Sequence, residues 1–373
     1  MNNSRELAWI IGADGRVLQL IPVLFFDPLC PRPYGEASLR ESGLAGTEAS
    51  TVRIAQALDA WVCQHNRTRT EGRYRVPGRV ADLRHVIVLR DPRSLARVAP
   101  LFPGARLSLW VHDRIEPGSS RARWFSAAAG ELRRLQPDII CVSEYQRARV
   151  AATVARIPGC ERLAVRRIYN PVDDRIVPDG APVDPSKLVF FSSPNKGLRF
   201  TLDAFRALRR RMPDLRLCVG NPGYKSLASR HIPGVEWLGS VPHAQVLAQV
   251  RTALCTFSAN FVIPETFGLV FAESRAVGTP VLTHDCGAAR EVLDDPRQLL
   301  PVTVAQRAYE AGLRRLPPHW RSAPALLADR LGLFDRYLER IGSWRAGERP
   351  RVGPDPRFRL SMIAGEWRAL LAA

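Results

Sequence analysis

Short apolar runs alternate along this chain with longer stretches whose apolar residues recur at helical spacing. Apolar runs bounded by polar or turn residues are typical of buried strands. The strands predicted in this way are Val86–Leu89, Arg106–Val111, Ile139–Val142, Leu188–Phe191, Leu215–Val219, Leu254–Phe257 and Pro280–Thr283. The helices predicted between them include Ser50–Leu58, Phe200–Arg211 and Gln245–Val250. This alternation favours parallel βαβ units and therefore an α/β protein.

The chain is long enough for two domains, each with a core of its own. The segment Asn170–Pro185 is rich in proline, glycine and aspartate, which is typical of a linker. We therefore predict a first domain over residues 1–180, a second over residues 181–348, and a terminal segment over residues 349–373. Apolar residues from Leu360 to Leu371 recur close to helical spacing, so the terminal segment is predicted to contain a helix.

Two glutamates, Glu265 and Glu273, lie eight positions apart across a predicted loop-to-helix junction at Gly268. The unpaired N–H groups of a helix N-terminus carry about half a unit of positive charge, which favours a diphosphate. Glu265 precedes the helix and can accept hydrogen bonds from sugar hydroxyls, whereas Glu273 can face a ribose diol. The same spacing is also typical of an amphipathic helix with one solvated glutamate. A nucleotide-sugar site is therefore one of two interpretations of these residues alone.

The glutamate pair belongs to a longer pattern, with Phe267, Gly268 and Leu269 inside it and Gly278–Val281 and Gly287–Val292 after it. This pattern resembles the C-terminal signature of retaining, nucleotide-sugar-dependent glycosyltransferases of family 4. Similar segments extend from about residue 46 to residue 292. The resemblance implies the GT-B fold, in which two Rossmann-like, doubly wound domains face a central cleft. It also implies that the terminal helix crosses back to the first domain, although a cap on the second domain fits the spacing equally well.

A lysine stands out in the loop Ser192–Leu198, because only three of the 54 basic residues in the chain are lysines. A point charge beside a helix N-terminus suits a diphosphate. The resemblance gives Lys196 this role, since the family carries an arginine or lysine at this place, and it puts Asn195 in the same donor site. An earlier arginine that is common in the family is absent, because positions 190–193 hold Phe, Phe, Ser and Ser. Arg199 is the candidate that can replace it.

Two segments of the first domain are predicted to face the same cleft. The first ends a predicted strand at His112 and Asp113. The resemblance implies that the His112 imidazole donates a hydrogen bond to the donor sugar, while Asp113 can orient His112, meet the acceptor or cap the loop. The second segment, Gly43–Glu48, resembles the Gly-Gly-x-Glu loop of the family, with Ala45 in place of the first glycine. Its Gly46 is expected near the donor phosphate or the acceptor.

The segments Gly220–Tyr224 and Leu238–Val241 resemble the family loops that border the nucleotide base, so Val241 is expected at the base edge. The predicted catalytic residues are His112, Glu265 and Lys196, and the predicted donor-binding residues are Glu273, Gly268, Leu269, Phe267, Val241, Asn195 and Gly46. The sequence contains no Asp-x-Asp motif, so neither a metal nor another cofactor is expected besides the donor. Retention without an evident nucleophile suggests front-face attack, in which the leaving phosphate oxygen deprotonates the acceptor.

The formal net charge is +18, and arginine accounts for most of it. The arginines are scattered and do not alternate with aromatic residues as in a single-strand-binding track, so no nucleic-acid partner is expected. A basic surface attracts anionic lipid head groups, at about 1 kcal/mol per cation. No run of 18 apolar residues occurs, and the seven cysteines form no C-x-x-C pair. We therefore expect reduced thiols and a cytoplasmic protein. The basic charge indicates either peripheral binding to the inner face of the membrane or a compositional bias toward arginine, as a GC-rich coding sequence would produce.

The combined prediction is transfer of a sugar from a nucleotide diphosphate sugar to a hydroxyl of a glycan or lipid-linked acceptor. Bacterial envelope polysaccharide or lipopolysaccharide synthesis is the expected context. Three other classes are compatible with the sequence. They are a nucleotide-sugar hydrolase or epimerase of the same fold, an inactive partner subunit that only binds nucleotide, and a basic nucleic-acid-binding protein. The hydrolase or epimerase needs no acceptor, and the partner subunit binds nucleotide without turnover. The nucleic-acid-binding protein is indifferent to nucleotide sugars.

Overall fold

The computed structural model describes residues 9–11, 17–19, 23–41, 44–78, 83–220, 231–315 and 325–373. The first described elements, β1 (Trp9–Ile11) and β2 (Val17–Gln19), form an antiparallel hairpin. The strands of the first large sheet within the described residues are β3 (Val23–Asp27), β4 (Trp61–Gln64), β5 (Tyr74–Arg75), β6 (His85–Leu89), β7 (Arg106–Val111), β8 (Asp138–Cys141) and β9 (Val165–Arg167). They are all parallel, in the order β5-β4-β3-β6-β7-β8-β9.

Helices connect these parallel strands. They are α1 (Glu36–Glu41), α2 (Gly46–Ala57), α3 (Leu95–Val98), α4 (Ser120–Ala127), α5 (Ala129–Leu135) and α6 (Glu144–Val154). The central strands have continuous apolar sequences because both faces of the sheet are covered. Helix α2 begins at Gly46, four residues before the predicted start, because Ala45 is extended and its carbonyl accepts from the Ala49 amide at 3.0 Å. Glu48 therefore lies in the first helical turn, where an acidic residue is favourable.

The second domain contains another parallel sheet. In the part of the chain that the structure describes, its strands are β10 (Asp184–Phe190), β11 (Arg216–Gly220), β12 (Val235–Gly239), β13 (Ala253–Ser258), β14 (Val281–His284) and β15 (Leu299–Leu300). Their order is β12-β11-β10-β13-β14-β15. The helices are α7 (Leu198–Arg211), α8 (His243–Arg251), α9 (Leu269–Ala276), α10 (Ala289–Val292), α11 (Val304–Arg315), α12 (Ala325–Arg330) and α13 (Asp335–Ser343).

Both sheets have the strand order of a dinucleotide-binding fold. In each sheet the strand that comes first in sequence lies in the middle, the next two strands add on one side of it, and the later strands add on the other side, so the order reverses beside the first strand. The predicted class of two doubly wound α/β domains is confirmed. In such sheets a ligand binds beyond the carboxyl ends of the strands at the point of reversal. That point lies between β3 and β6 in the first domain and between β10 and β13 in the second.

The chain end returns to the first domain as helix α14 (Leu360–Ala372). The Val172 amide donates to the Phe358 carbonyl at 2.7 Å, and the Leu360 amide donates to the Val172 carbonyl at 2.8 Å, so the returning segment is joined to the interdomain linker. The fully buried Trp367 packs against Phe25 of β3, with ring centroids 5.8 Å apart. The terminal helix therefore contributes to the core of the first domain.

A carboxylate of the second domain caps a helix of the first. Glu291 on α10 accepts from the Glu144 amide at 2.7 Å and from the Tyr145 amide at 2.6 Å, at the N-terminus of α6. A negative charge is favourable there because the first amides of a helix lack intrahelical acceptors. The contact joins the two domains beside the cleft. Separately, no helix among the described residues is long and apolar enough to cross a bilayer.

Candidate functional site

Two adjoining cavities, of about 130 and 540 Å³, lie where the two domains meet. Both are lined by Gly46 of the first domain and by Lys196, Glu265 and Leu269 of the second. Val241 lines only the smaller cavity, whereas His112, Phe267 and Gly268 line only the larger one. Most of the predicted site residues are thus brought together, although they come from widely separated parts of the sequence. Asn195 does not line either cavity, and its side chain instead accepts from the Ser193 hydroxyl.

The loop before α9 is held in place by one aromatic and one glycine. Phe267 is buried against Tyr169 of the first domain and Phe358 of the returning segment, at centroid distances of 5.8 and 5.2 Å. Gly268 has φ of 88°, and a Cβ at this position would lie 2.8 Å from Phe271 Cδ2. This position therefore needs glycine. The turn directs the N-terminus of α9, beginning at Leu269, toward the cavities.

Glu265 and Lys196 form an ion pair at the carboxyl ends of β13 and β10, the two strands at the point of reversal. The Lys196 ammonium donates to Glu265 Oε2 at 2.6 Å, and the Glu265 side chain is 7% exposed. A backbone contact fixes Glu265 further, because its carbonyl accepts from the Ala288 amide at 2.9 Å. Gly197 has φ of 83° and lies against Asn260, where a Cβ would come within 2.7 Å of another carbon. The loop therefore brings the lysine to the carboxylate through a conformation that glycine permits.

His112 follows β7 and lies between the domains. Its carbonyl accepts from the Thr266 hydroxyl at 2.9 Å, which joins the strand end to the loop that carries Glu265. The ring is buried against Trp110 at a centroid distance of 4.4 Å, and the Trp110 backbone and the Asn170 side chain lie beside its nitrogens without forming a well-aligned hydrogen bond. Burial, together with the nearby charge of Arg90, lowers the pKa of His112 from 6.5 to about 3. The imidazole is therefore neutral, with one N–H to donate and one nitrogen to accept.

Asp113 does not orient the His112 ring. Its carboxylate accepts two hydrogen bonds from Arg90, at 3.0 and 3.1 Å, and lies 3.4 Å from Arg121 Nε. Arg90 itself has φ of 66°, a conformation that is uncommon for residues other than glycine. The strand ends β6 and β7 are thus joined by a bidentate pair on the wall of the larger cavity.

Glu273 lies on α9 in the smaller cavity, where Arg53 and His243 hold its carboxylate. Arg53 of α2 donates to Oε1 at 2.9 Å, and His243 at the start of α8 lies with Nε2 3.0 Å from Oε2. Burial alone would raise the pKa of Glu273, but the charges and hydrogen bonds of His243 and Arg53 lower it from 4.5 to about 2. Sequence reasoning missed both partners. Arg53 is one of many arginines, and nothing in the spacing shows that α2 meets α9.

Two predicted segments fall partly outside the described residues. The first is the glycine-rich loop Gly43–Glu48, of which Gly43 is not described. The second is Gly220–Tyr224, expected near the nucleotide base, of which residues 221–224 are not described. Across the ranges that the structure covers, no group of three or more His, Cys, Asp or Glu side chains could hold a metal ion. Among the described residues, Lys196 and Arg53 line the smaller cavity, and Lys196, Arg32, Arg90 and Arg114 line the larger one.

Residues 185–316 match the family model described as "Glycosyl transferases group 1". The matched range begins within β10 and includes Lys196, Glu265 and Glu273. This match confirms that the motifs within residues 185–316 resemble those of glycosyl transferases of group 1.

Among curated proteins, the phosphatidyl-myo-inositol mannosyltransferase of Mycobacterium tuberculosis is 32% identical over 133 residues, which cover 33% of this chain and 35% of that protein. The protein of the same name from Mycobacterium leprae is 32% identical over 109 residues, covering 28% of this chain and 29% of that protein. The chain thus spans about a third of the length of these relatives.

Solved structures resemble nearly all of this chain. HepE from Anabaena, in complex with UDP-glucose, is 15% identical, covers 94% of this chain and 99% of its own, and has a TM-score of 0.59. Sucrose-phosphate synthase from Thermosynechococcus elongatus is 14% identical, with the same coverage of both chains and a TM-score of 0.59. At this identity the similarity shows the fold, and the predicted GT-B architecture is confirmed.

Proposed function

We propose that this protein is a retaining glycosyltransferase that moves a sugar from a nucleotide diphosphate sugar to a hydroxyl acceptor. The observation that carries the proposal is the meeting of Lys196, Glu265 and His112 at one interdomain cleft, beside the buried carboxylate Glu273. These groups supply a cation for phosphate, acceptors for sugar hydroxyls and a neutral imidazole. The match to glycosyl transferases of group 1 supports the assignment.

In this proposal the donor spans the two cavities. The nucleotide occupies the smaller one, with the base near Val241 and the ribose hydroxyls at Glu273. The diphosphate lies at the N-terminus of α9, beside Lys196, where the helix amides and the ammonium both favour negative charge. The sugar then lies toward the larger cavity, between Glu265 and His112. Because Lys196 is bound to Glu265, one ion pair can hold both the phosphate and the sugar.

The reaction is retention by front-face attack. The bond between the anomeric carbon and the leaving phosphate oxygen breaks, and the acceptor oxygen bonds to the same face of that carbon. The acceptor proton passes to the departing phosphate oxygen, so no protein nucleophile and no metal takes part. Lys196 and the helix amides stabilise the charge that develops on the diphosphate. Such groups are fixed before the reaction, which makes positioning the main contribution of the protein.

His112 acts in this scheme as a hydrogen-bond donor and not as an acid. With a pKa of about 3 it holds no extra proton at neutral pH, and its buried ring nitrogens make no well-aligned hydrogen bond among the described residues. A buried polar group without a partner is costly, so a donor sugar that bonded to His112 would recover that cost.

The acceptor is proposed to be a glycan or lipid-linked intermediate of bacterial envelope polysaccharide or lipopolysaccharide synthesis. The net charge of +18 supports peripheral binding to the anionic inner face of the cytoplasmic membrane. The curated relatives are mannosyltransferases, so a mannosyl donor is the first one to test, followed by UDP-glucose.

Turnover tests the proposal. The purified protein is incubated with GDP-mannose, UDP-glucose, ADP-glucose and TDP-glucose, each with an extract of envelope glycolipids, and with a chelator in parallel. We expect one donor to give nucleotide release that depends on the acceptor and survives chelation, with the donor's anomeric configuration kept in the product. Lys196→Ala should lower kcat by about 10²-fold, and the exposed Arg297→Ala should not change it. Release without an acceptor would identify a hydrolase, and an inverted product would contradict retention.

A further inference from the structure

Arg53 is a first-domain side chain inside the pocket that the second domain provides for the proposed donor nucleotide. It extends from α2 and lines the smaller cavity with Val241, His243 and Glu273. One guanidinium nitrogen donates to Glu273 Oε1 at 2.9 Å and the other to the Pro171 carbonyl at 3.1 Å. The Arg53 and Glu273 side chains are only 6% and 4% exposed. A buried guanidinium that donates two hydrogen bonds is held in one orientation, unlike that of an arginine on the surface.

The carboxylate of Glu273 is left with the capacity that a ribose requires. An ionised carboxylate accepts hydrogen bonds at about four lone-pair positions on its two oxygens. Arg53 uses a position on Oε1, and His243 uses one on Oε2. One position remains on each oxygen, which matches two neighbouring hydroxyls. Arg53 and His243 also favour the ionised carboxylate in a site where burial alone would favour its protonation.

We propose that Arg53 is a positioning residue for the donor: it fixes Glu273 toward the ribose diol, so the donor site is complete only when the two domains meet. The inference rests on the proposed function, because it assigns a partner to the ribose-binding carboxylate. Its structural basis is the interdomain pair, together with the linker carbonyl of Pro171 that holds the guanidinium on its other side. Opening of the cleft removes Arg53 from Glu273. Affinity for the ribose is thereby coupled to domain closure.

The test compares Arg53 variants on ligands with and without the ribose 2′-hydroxyl. The affinities of UDP and GDP, and of their 2′-deoxy forms, are measured by titration calorimetry for the full chain. The variants are Arg53→Ala, Arg53→Lys and Glu273→Gln, with Arg297→Ala as the control, since Arg297 is half exposed, lines neither cavity and pairs with Asp295. Circular dichroism establishes that each variant is folded. Arg53→Lys keeps the charge and guards against failure of the alanine variant to fold.

We expect the wild-type protein to prefer one ribonucleotide over its 2′-deoxy form by about tenfold, the scale of one hydrogen bond to a charged group. Arg53→Ala should reduce that preference to about twofold, as Glu273→Gln should, and Arg53→Lys should restore part of it. A structural role alone would weaken both forms equally and keep the preference, which would overturn the inference. Tighter binding by Arg53→Ala would also overturn it, because Arg53 would then compete with the ribose. If the wild-type protein binds neither nucleotide, the proposed function fails, and the inference fails with it.

Discussion

Replacing Trp367 by alanine should lower the stability of the first domain more than any substitution of an exposed residue on the same helix. Trp367 lies on α14, is fully buried, and packs edge-on against Trp110 at 5.0 Å and Phe25 at 5.8 Å. These two residues are on the central strands β7 and β3. The side chain therefore connects the end of the chain to the middle of the first sheet.

The magnitude follows from the area and the ring contacts. A buried tryptophan removes about 150–250 Å² from water, which corresponds to about 4–6 kcal/mol at 25 cal/mol per Å². Measured losses for tryptophan to alanine in protein cores are about 3–5 kcal/mol. We expect a loss of about 4 kcal/mol in the free energy of unfolding. Trp367→Phe should cost about 1 kcal/mol, because the indole N–H has no partner among the described residues and only area is lost.

The assay is urea unfolding followed by far-ultraviolet circular dichroism, which does not depend on the tryptophan that is removed. Equal slopes for two proteins allow the midpoint shift to be converted to a free-energy difference. Met362→Ala on the same helix is the control, because Met362 is 52% exposed and should cost no more than about 0.5 kcal/mol. A loss below about 1 kcal/mol for Trp367→Ala, or one equal to the control, would refute the role of α14 in the core of the first domain.

Three further predictions concern the cleft. The pKa of His112 is about 3 in the folded protein and ordinarily 6.5, so the unfolded state binds a proton first and stability falls as the pH drops below 6.5. In urea titrations, the wild-type protein should lose about 2 kcal/mol of unfolding free energy relative to His112→Gln between pH 7 and pH 5. A difference between the two proteins that does not change with pH would contradict this. Gly268→Ala should lower the stability by about 1–3 kcal/mol, because its φ is 88° and the new Cβ would meet Phe271, and an unchanged melting curve would argue against this turn. Glu291→Ala should cost about 1–2 kcal/mol by uncapping α6, and hydrogen exchange of the Glu144 and Tyr145 amides should increase, whereas unchanged protection would contradict the interdomain cap.

The fold could be predicted from the sequence because apolar runs of strand length mark the central strands of both sheets. Strand β7 coincides with the predicted Arg106–Val111, since a strand buried on both faces has few polar positions. The start of α2 was missed by four residues. Ala45 caps that helix through its backbone and has no side-chain acceptor, so the usual capping signal is absent.

The sequence could predict only those residues of the candidate site that stand close together in the chain or are unusual in its composition. Glu265, Gly268 and Leu269 occur in one short segment, and Lys196 stands out in a chain that contains few lysines. The partners of Glu273 could not be found in this way. Arg53 is 220 residues away and meets Glu273 only because the two domains face each other. His243 begins α8, and its distance from Glu273 depends on how α8 packs against α9. Such pairings follow from the tertiary arrangement and leave no spacing in the sequence.

Saturation-transfer NMR shows directly whether the cleft binds a nucleotide diphosphate sugar. The purified protein is titrated with UDP-, GDP-, ADP- and TDP-sugars, beside Lys196→Ala, Glu273→Ala and the surface control Arg297→Ala. We expect one nucleotide sugar to bind selectively, with the strongest transfer to its ribose and sugar protons. Lys196→Ala and Glu273→Ala should weaken binding, while the control should not. A folded protein that binds no nucleotide sugar, or one whose binding survives both cleft variants unchanged, would contradict this.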